Sequence, residues 1–310
     1  MLQKFQITEE DKGKRLDKFL TEKIDGLARN QAKRLIKQKR IELNGGAISP
    51  SHLLIPKEEV KIKSLTASAS PDGRGFVFDD LEIPEDNDDF LVVNKPAGLI
   101  VHASKYIKED TLVHLLLEQY PELKGVGDAE DRPGIVHRLD KEVSGLMVIA
   151  KNRKSFYHLK RQFSERKIKK NYQALVYGHP PKEKELIDIS LKRSPKTGRV
   201  IVAPDQEDGA KEAKTGYEVI RYYKKYALLK IDLYTGRTHQ IRAHLKSKGV
   251  PIVGDDLYAA GKAKLWNKKS GLGRVFLVAY KLGFYDLEDN FKEFKIDLPE
   301  ELQEFLEKIL

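Results

Sequence analysis

The strongest constraint on the fold of this 310-residue chain is a succession of short apolar runs with little helical spacing between them. Strands are expected at 90–94, 146–150, 172–177, 217–222, 227–233 and 276–284. Helical periodicity is confined to about 111–119, 152–165, 238–247 and 300–308. Parallel strands would each need a helical crossover, and this spacing does not supply them. The pattern predicts an α+β fold with a mixed, largely antiparallel sheet flanked by helices over residues 76–310.

Residues 1–65 read as a separate small unit of two helices and a short sheet. Leu16, Phe19, Leu20 and Ile24 share one face of a helix over 15–24. Ala32, Leu35 and Ile36 share a face of a second helix over 29–39, while Arg29, Lys33 and Lys37 line another side. Strands at 41–43 and 60–62 follow, with Asn44-Gly45 as a hairpin turn. Residues 66–75, TASASPDGRG, read as a flexible linker.

Charge points to a polyanionic partner. The formal net charge is +10. Residues 1–65 carry 15 Lys and Arg against nine Asp and Glu, and residues 151–170 carry nine bases and one acid. Residues 79–89 hold seven acids and no base, and read as a solvated loop. The chain has no cysteine, which excludes thiolate metal sites and disulfides. It has no run of about 18 apolar residues, so no membrane span is expected. MLQKFQITEE lacks the features of a signal peptide, and a cytoplasmic monomer is expected.

Three blocks gather chemistry-bearing residues. The first is Arg132 to Gly145, RPGIVHRLDKEVSG, where His137, Arg138 and Asp140 crowd together ahead of an apolar strand. Alone, such a string reads as a salt-bridged loop. The second is Lys170-Asn171-Tyr172, opening a strand; a tyrosine there is ordinarily a core aromatic. The third is Leu233 to Arg242, LYTGRTHQIR. Gly236 allows a bend, Thr238 is placed to N-cap the next helix, and Arg242 falls in its first turn. A cation there opposes the helix dipole, which calls for a carboxylate partner, and Asp140 is the candidate. His137 with Asp140, or His239 with His244, lack the spacing of a metal site. Asp255 and Asp256 read as braces of their loop.

Together these blocks resemble the RluA-type pseudouridine synthases, most closely the ribosomal large-subunit branch with an N-terminal α-L RNA-binding module. KPAGLIVH (95–102) is similar to the family's first motif, GIVHRLD with SGL to the second, KNYQALV to the tyrosine strand, and TGRTHQIRAHL with GVPIVGDDLY (249–258) to the third. RLDKFL and ARNQAKRLIKQKRIELNG resemble the RNA-binding module. Ala28, Ala103 and Val278 depart from the pattern at positions where serine, proline and histidine are common.

The resemblance implies an isomerase that converts uridine in RNA to pseudouridine. The glycosidic carbon–nitrogen bond breaks, the uracil turns, and a bond to carbon 5 forms. No atom is gained or lost, so no cofactor is expected. Asp140 would attack the anomeric carbon or take the ribose 2′ proton. Tyr172 would stack on the uracil, and Arg242 would pair with Asp140. A stacked uridine is out of reach, so the base must flip out. Arg138 would brace the gap, and His137, Arg237 and Lys95 would contact RNA, as would Arg15, Arg29, Lys33 and Arg34 of the module. The implied target is large-subunit ribosomal RNA, with transfer RNA as the alternative. A non-catalytic RNA-binding assembly factor needs the basic blocks but not the Asp140, Tyr172 and Arg242 set.

Overall fold

The computed structural model describes residues 3–24, 27, 29–37, 41–46, 48–62, 76–102 and 111–310. The expected linker at 66–75, Ala28 and Ala103 lie outside them, as do the side chains of Arg34 and Lys37. In chain order the elements begin with β1 (Gln3–Gln6), α1 (Leu16–Lys23), α2 (Arg29–Lys37), β2 (Ile41–Leu43) and β3 (Glu59–Ile62). Then come β4 (Glu82–Asp86), β5 (Phe90–Lys95), α3 (Leu112–Gln119), β6 (Ser144–Ala150), α4 (Arg153–Ser164) and β7 (Lys169–Tyr177). The remainder are β8 (Lys184–Asp188), β9 (Leu191–Arg193), β10 (Val200–Val202), β11 (Lys214–Tyr222), β12 (Tyr226–Leu233), α5 (Gln240–Ser247), α6 (Lys262–Ser270), β13 (Leu277–Tyr285), β14 (Phe291–Lys295) and α7 (Glu300–Lys308). Two compact units emerge, residues 1–80 with 98–121 and residues 81–97 with 122–310.

In the first unit β1, β3 and β2 form an antiparallel sheet. Leu16, Phe19 and Leu20 of α1, and Ala32, Leu35 and Ile36 of α2, bury against Ile41, Val60 and Ile62 of that sheet. The periodicity read from the sequence therefore marks the buried faces. Asn44 and Gly45 both adopt positive φ, 50° and 78°, as a tight hairpin turn requires. β1 adds a strand that the sequence reading omitted; at four residues it is too short for its alternation to stand out.

The second unit is built on a nine-stranded sheet in the order β4-β5-β6-β13-β7-β12-β11-β8, with β14 beside β13. Its one parallel pairing joins β6 to β13, and its other neighbours run antiparallel. The mixed, largely antiparallel α+β architecture is as expected. Phe90, Val92, Leu146, Val148, Phe156 and Phe284 form part of a core where α4 covers the sheet. Residues 82–86, inside the supposed acidic loop, form the edge strand β4 instead. Charged side chains and Pro84 suit an edge, where one row of backbone groups stays unpaired and pairing with another chain must be discouraged. Among the described residues no helix is long and apolar enough to cross a membrane.

Candidate active site

The parallel contact of β6 with β13 fixes the loop that carries Asp140. Ile135 bridges to Ile149, and the Ala150 amide donates to the Gly134 carbonyl at 2.9 Å. The chain then turns at Asp140, whose carbonyl accepts from the Val143 amide at 3.2 Å, and enters β6 at Ser144. Gly145 has φ +126°, and a Cβ there would lie 2.3 Å from the Ala279 carbonyl oxygen. Only glycine permits β13 to approach this closely. Val278, where the family pattern has histidine, is buried in β13 opposite Ser144.

Helix α5 is anchored on one face and carries Arg242 to the cleft on another. Gln240 and His244, four residues apart, share a side. Gln240 Nε2 donates to Thr215 Oγ1 at 2.9 Å, and its Oε1 accepts from the Arg237 amide and the Thr235 hydroxyl. His244 places Nε2 2.9 Å from the Ile189 carbonyl and Nδ1 2.9 Å from Thr215 Oγ1, a pattern that fits a neutral imidazole. The expected cap by Thr238 does not form. The N-cap is His239 in a left-handed conformation, φ 52°, with no side-chain cap bond. The Gln240 side chain holds the incoming loop by accepting from the Arg237 amide and the Thr235 hydroxyl.

Arg242 is 2% exposed. Its tightest partner is Asp255, not Asp140. Nε and Nη2 donate to the two Asp255 carboxylate oxygens at 2.7 and 2.8 Å, with Asp255 fully buried. Nη1 reaches Asp140 at 3.4 Å and Glu142 at 3.2 Å. The expected pairing with Asp140 is present, but as the looser arm of a four-residue cluster. The sequence signal for Asp255 was its place in the GDDLY block. It does brace its loop, by accepting from the Leu257 and Tyr258 amides. Gly254 just before it has φ +77°, and a Cβ would lie 1.8 Å from the Arg274 carbonyl oxygen. Burial works against the Arg242 charge, but the Asp255 hydrogen bonds together with the charges of Asp255, Asp140 and Glu142 outweigh it and raise the guanidinium above its usual range.

Asp140, Tyr172 and Arg242 line one cleft with Arg138, Arg237 and His239. The Asp140 side chain is 19% exposed, so it meets the cleft while touching Arg242. Tyr172 is buried in β7. Burial, aided by the Asp140 charge, raises its hydroxyl above the usual range, so it faces the cleft as a neutral phenol. His239, which the sequence reading did not place in the site, sets Nε2 3.9 Å from Asp140 and Nδ1 3.1 Å from the Tyr258 hydroxyl. Burial, more than the opposing Asp140 charge, lowers its pKa.

Two residues expected to contact RNA are engaged within the protein, Lys95 in full burial and His137 partly buried. Lys95 is fully buried and donates to the Pro96 carbonyl at 2.8 Å and the Lys141 carbonyl at 3.4 Å. Burial, then the neighbouring Arg274, push its ammonium down to about 7. It underpins the Asp140 loop. His137 accepts from the Val148 amide through Nε2 at 3.0 Å and stacks on Phe163. Burial, with a lesser push from Lys170, brings it down to about 3. Arg138 and Arg237 remain exposed at the cleft, with Arg237 Nε donating to the Glu212 carbonyl. In the first unit, Arg15, Arg29 and Lys33 converge on the buried Asp17.

The arrangement offers one cleft-lining carboxylate, Asp140, held by a buried guanidinium, one neutral aromatic wall and a cationic rim. No group of three or more His, Asp or Glu placed to hold a metal ion occurs among the described residues. Comparison with known proteins agrees with the motifs. The RNA pseudouridylate synthase family matches residues 89–247. An uncharacterised RNA pseudouridine synthase of Aquifex aeolicus (strain VF5) is 38% identical over 300 residues, covering 94% of this chain and 92% of the relative. Ribosomal large subunit pseudouridine synthase D of Zymomonas mobilis is 35% identical over 307 residues, covering 96% and 94%. The structure titled Human RNA Pseudouridylate Synthase Domain Containing 1 superposes with a TM-score of 0.59 at 25% identity, covering 72% of this chain and 86% of the human one. With matching motifs, fold and relatives, the chain belongs to the RluA-type RNA pseudouridine synthases and is an isomerase acting on RNA.

Proposed function

We propose that this enzyme isomerises specific uridines of large-subunit ribosomal RNA, with Asp140 as the reacting carboxylate. The observation that carries the reading is the convergence of Asp140, Tyr172 and Arg242 on one cleft from positions up to 102 residues apart. The target uridine flips out and its uracil stacks on Tyr172. Asp140 attacks the anomeric carbon or removes the 2′ proton; either route uses the same carboxylate and releases the base from the ribose. Arg242 keeps Asp140 oriented as the base turns; carbon 5 then bonds to the anomeric carbon as the Asp140 ester breaks or the 2′ proton returns, and carbon 5 gives up its proton while nitrogen 1 takes one up. Tyr172, a neutral phenol, contributes a stacking face and a hydroxyl, not a phenolate base. No atom is gained or lost, so the chemistry calls for no cofactor.

Arg138 and Arg237 hold phosphates at the rim. Residues 1–65 act as an RNA-binding module through Arg15, Arg29, Lys33 and Arg34, and residues 76–310 carry the catalysis. Ribosomal RNA is favoured over transfer RNA because relatives from Zymomonas mobilis, Yersinia pestis and Buchnera aphidicola are named for the ribosomal large subunit. Mapping pseudouridines in cells carrying the wild type or Asp140→Asn tests the assignment. The expected result is the loss of one or more sites in large-subunit ribosomal RNA. Losses confined to transfer RNA would reassign the target, and no loss anywhere would remove Asp140 from the reaction.

A further inference from the structure

Beside the Asp140 cleft lies a second one of about 390 Å³, sharing Arg138, Tyr172 and Arg237 with it. Its volume falls within the roughly 300–1,000 Å³ usual for ligand clefts. Lys170 and Tyr172 are two residues apart on β7, so they share a face, roughly 7 Å apart along the strand. The Lys170 ammonium lies 3.7 Å from where a Cβ on Gly236 would stand and 5.6 Å from the Phe163 ring centre.

The cations around this cleft are not equivalent. Arg166 is paired with Glu212 at 2.7 Å, and Arg237 donates to the Glu212 carbonyl at 3.1 Å. The Lys170 ammonium makes no hydrogen bond or ion pair with any described residue, and burial pushes it down to about 8. A mostly buried cation with no internal anion is costly to keep, which makes sense where an external anion completes it. At the same cleft Tyr234 is 52% exposed. Its ring lies over Gly216, 3.3 Å from the position a Cβ would take there. Glycine at 216 thus seats an outward-facing aromatic, the kind of platform on which single-stranded bases stack.

We propose that Lys170 and Tyr234 form a subsite for one nucleotide flanking the target uridine, Lys170 binding its phosphate and Tyr234 stacking on its base. This rests on the Asp140 cleft being the reaction site. The subsite would hold the strand in place while its neighbour is flipped, and it would make turnover depend on the nucleotide beside the uridine.

The test is single-turnover tritium release at increasing enzyme concentration, on a mixture of unmodified large-subunit ribosomal and transfer RNA transcripts labelled with 5-tritiated uridine. Half-saturation then separates from the saturating rate. Lys170→Met should raise the half-saturating concentration and lower the slope of log affinity on log salt by about one unit, with the saturating rate nearly kept. Lys170→Arg should restore both. Tyr234→Ala should raise half-saturation roughly 5- to 150-fold, the range for losing one base stack, and Tyr234→Phe should not. Should Lys170→Met fail to fold, acylation footprinting of the wild-type protein decides: the same RNA mixture must shield Lys170. No shielding, an unchanged salt slope, or a Tyr234→Ala that binds like the wild type would each overturn the subsite. Turnover by Asp140→Asn would instead overturn the reading of the reaction cleft.

Discussion

Two charged clusters in this protein are inversions of one another. In the first unit a buried carboxylate, Asp17, is surrounded by three half-exposed cations, Arg15, Arg29 and Lys33. In the second, a buried guanidinium, Arg242, is surrounded by three carboxylates, Asp255, Asp140 and Glu142. Each hub neutralises part of its ring and fixes the direction of the rest. The anionic hub leaves cations facing water, as a surface that binds a polyanion requires. The cationic hub leaves one carboxylate facing a cleft, as a reaction needing an anion requires. The difference lies in closure. Asp255 grips Arg242 with two hydrogen bonds at 2.7 and 2.8 Å in full burial, whereas the bonds to Asp17 run from 3.1 to 3.4 Å on side chains open to solvent. Burial strengthens the interactions around Arg242, and screening weakens those around Asp17.

The sharpest break of this comparison is Asp140→Asn. The amide keeps the shape and the Arg242 contact geometry but loses the reacting anion. Tritium release should fall to background while RNA retention on filters and the melting temperature stay near wild type. Residual turnover at a substantial rate would mean that the second cluster orients something other than the reacting group.

Arg242→Ala should come next. It strands Asp255 in full burial, and removing one partner of a buried pair typically costs about 3–5 kcal/mol. Calorimetry should show that loss. Replacing both, as Arg242→Met with Asp255→Leu, should recover much of the stability and none of the activity, because Asp140 still lacks its guide. Recovery of activity in the double variant would show that Arg242 serves the fold alone.

Asp17→Ala should cost less, about 1.5–3 kcal/mol, the range for hydrogen bonds to charged groups. The hydrogen bonds from Arg15, reinforced by those from Arg29 against the cost of burial, hold the Asp17 carboxyl down at about 2. Its folded pKa is therefore below the unfolded value of 3.8. The stability it contributes is complete above about pH 3.8 and disappears as pH falls towards 2. Amide exchange in α1 and α2 across that window should report the loss in the wild type and not in Asp17→Asn. An identical acid profile in both would place the acid-sensitive group elsewhere.

The last test belongs to Lys95. Its ammonium titrates near 7 in the folded protein against 10.5 when unfolded. Between those values the unfolded chain binds more protons, so this residue makes stability rise with pH. Asp140, Glu142, Lys141 and Arg274 are the charges around it. Lys95→Met should flatten the melting temperature between pH 7 and 10 and leave RNA affinity near wild type. A marked loss of RNA affinity would restore Lys95 to the phosphate contacts expected from its motif.

Much of this protein was legible in its residues. The strand runs and the lack of crossovers gave the largely antiparallel sheet, and helical periodicity gave the faces of α1 and α2. Both follow from local rules, since side-chain direction repeats every 2 or 3.6 residues whatever the rest of the chain does. The motif blocks led to Asp140, Tyr172 and Arg242 through their joint resemblance to one family, since taken singly the first reads as a salt-bridged loop and the tyrosine as a core aromatic. Tertiary structure decided who pairs with whom. Asp255 takes the two strong bonds of Arg242 because α5 and the Gly254 turn bring guanidinium and carboxylate edge to edge. Lys95 is spent on the Pro96 and Lys141 carbonyls, and His137 on the Val148 amide and the Phe163 ring. Thr238 yields the cap position because the chain enters α5 one residue later, through His239 in a left-handed conformation. Ion pairs and burial depend on distances between segments far apart in the chain, and those distances exist only once the sheet has brought the segments together.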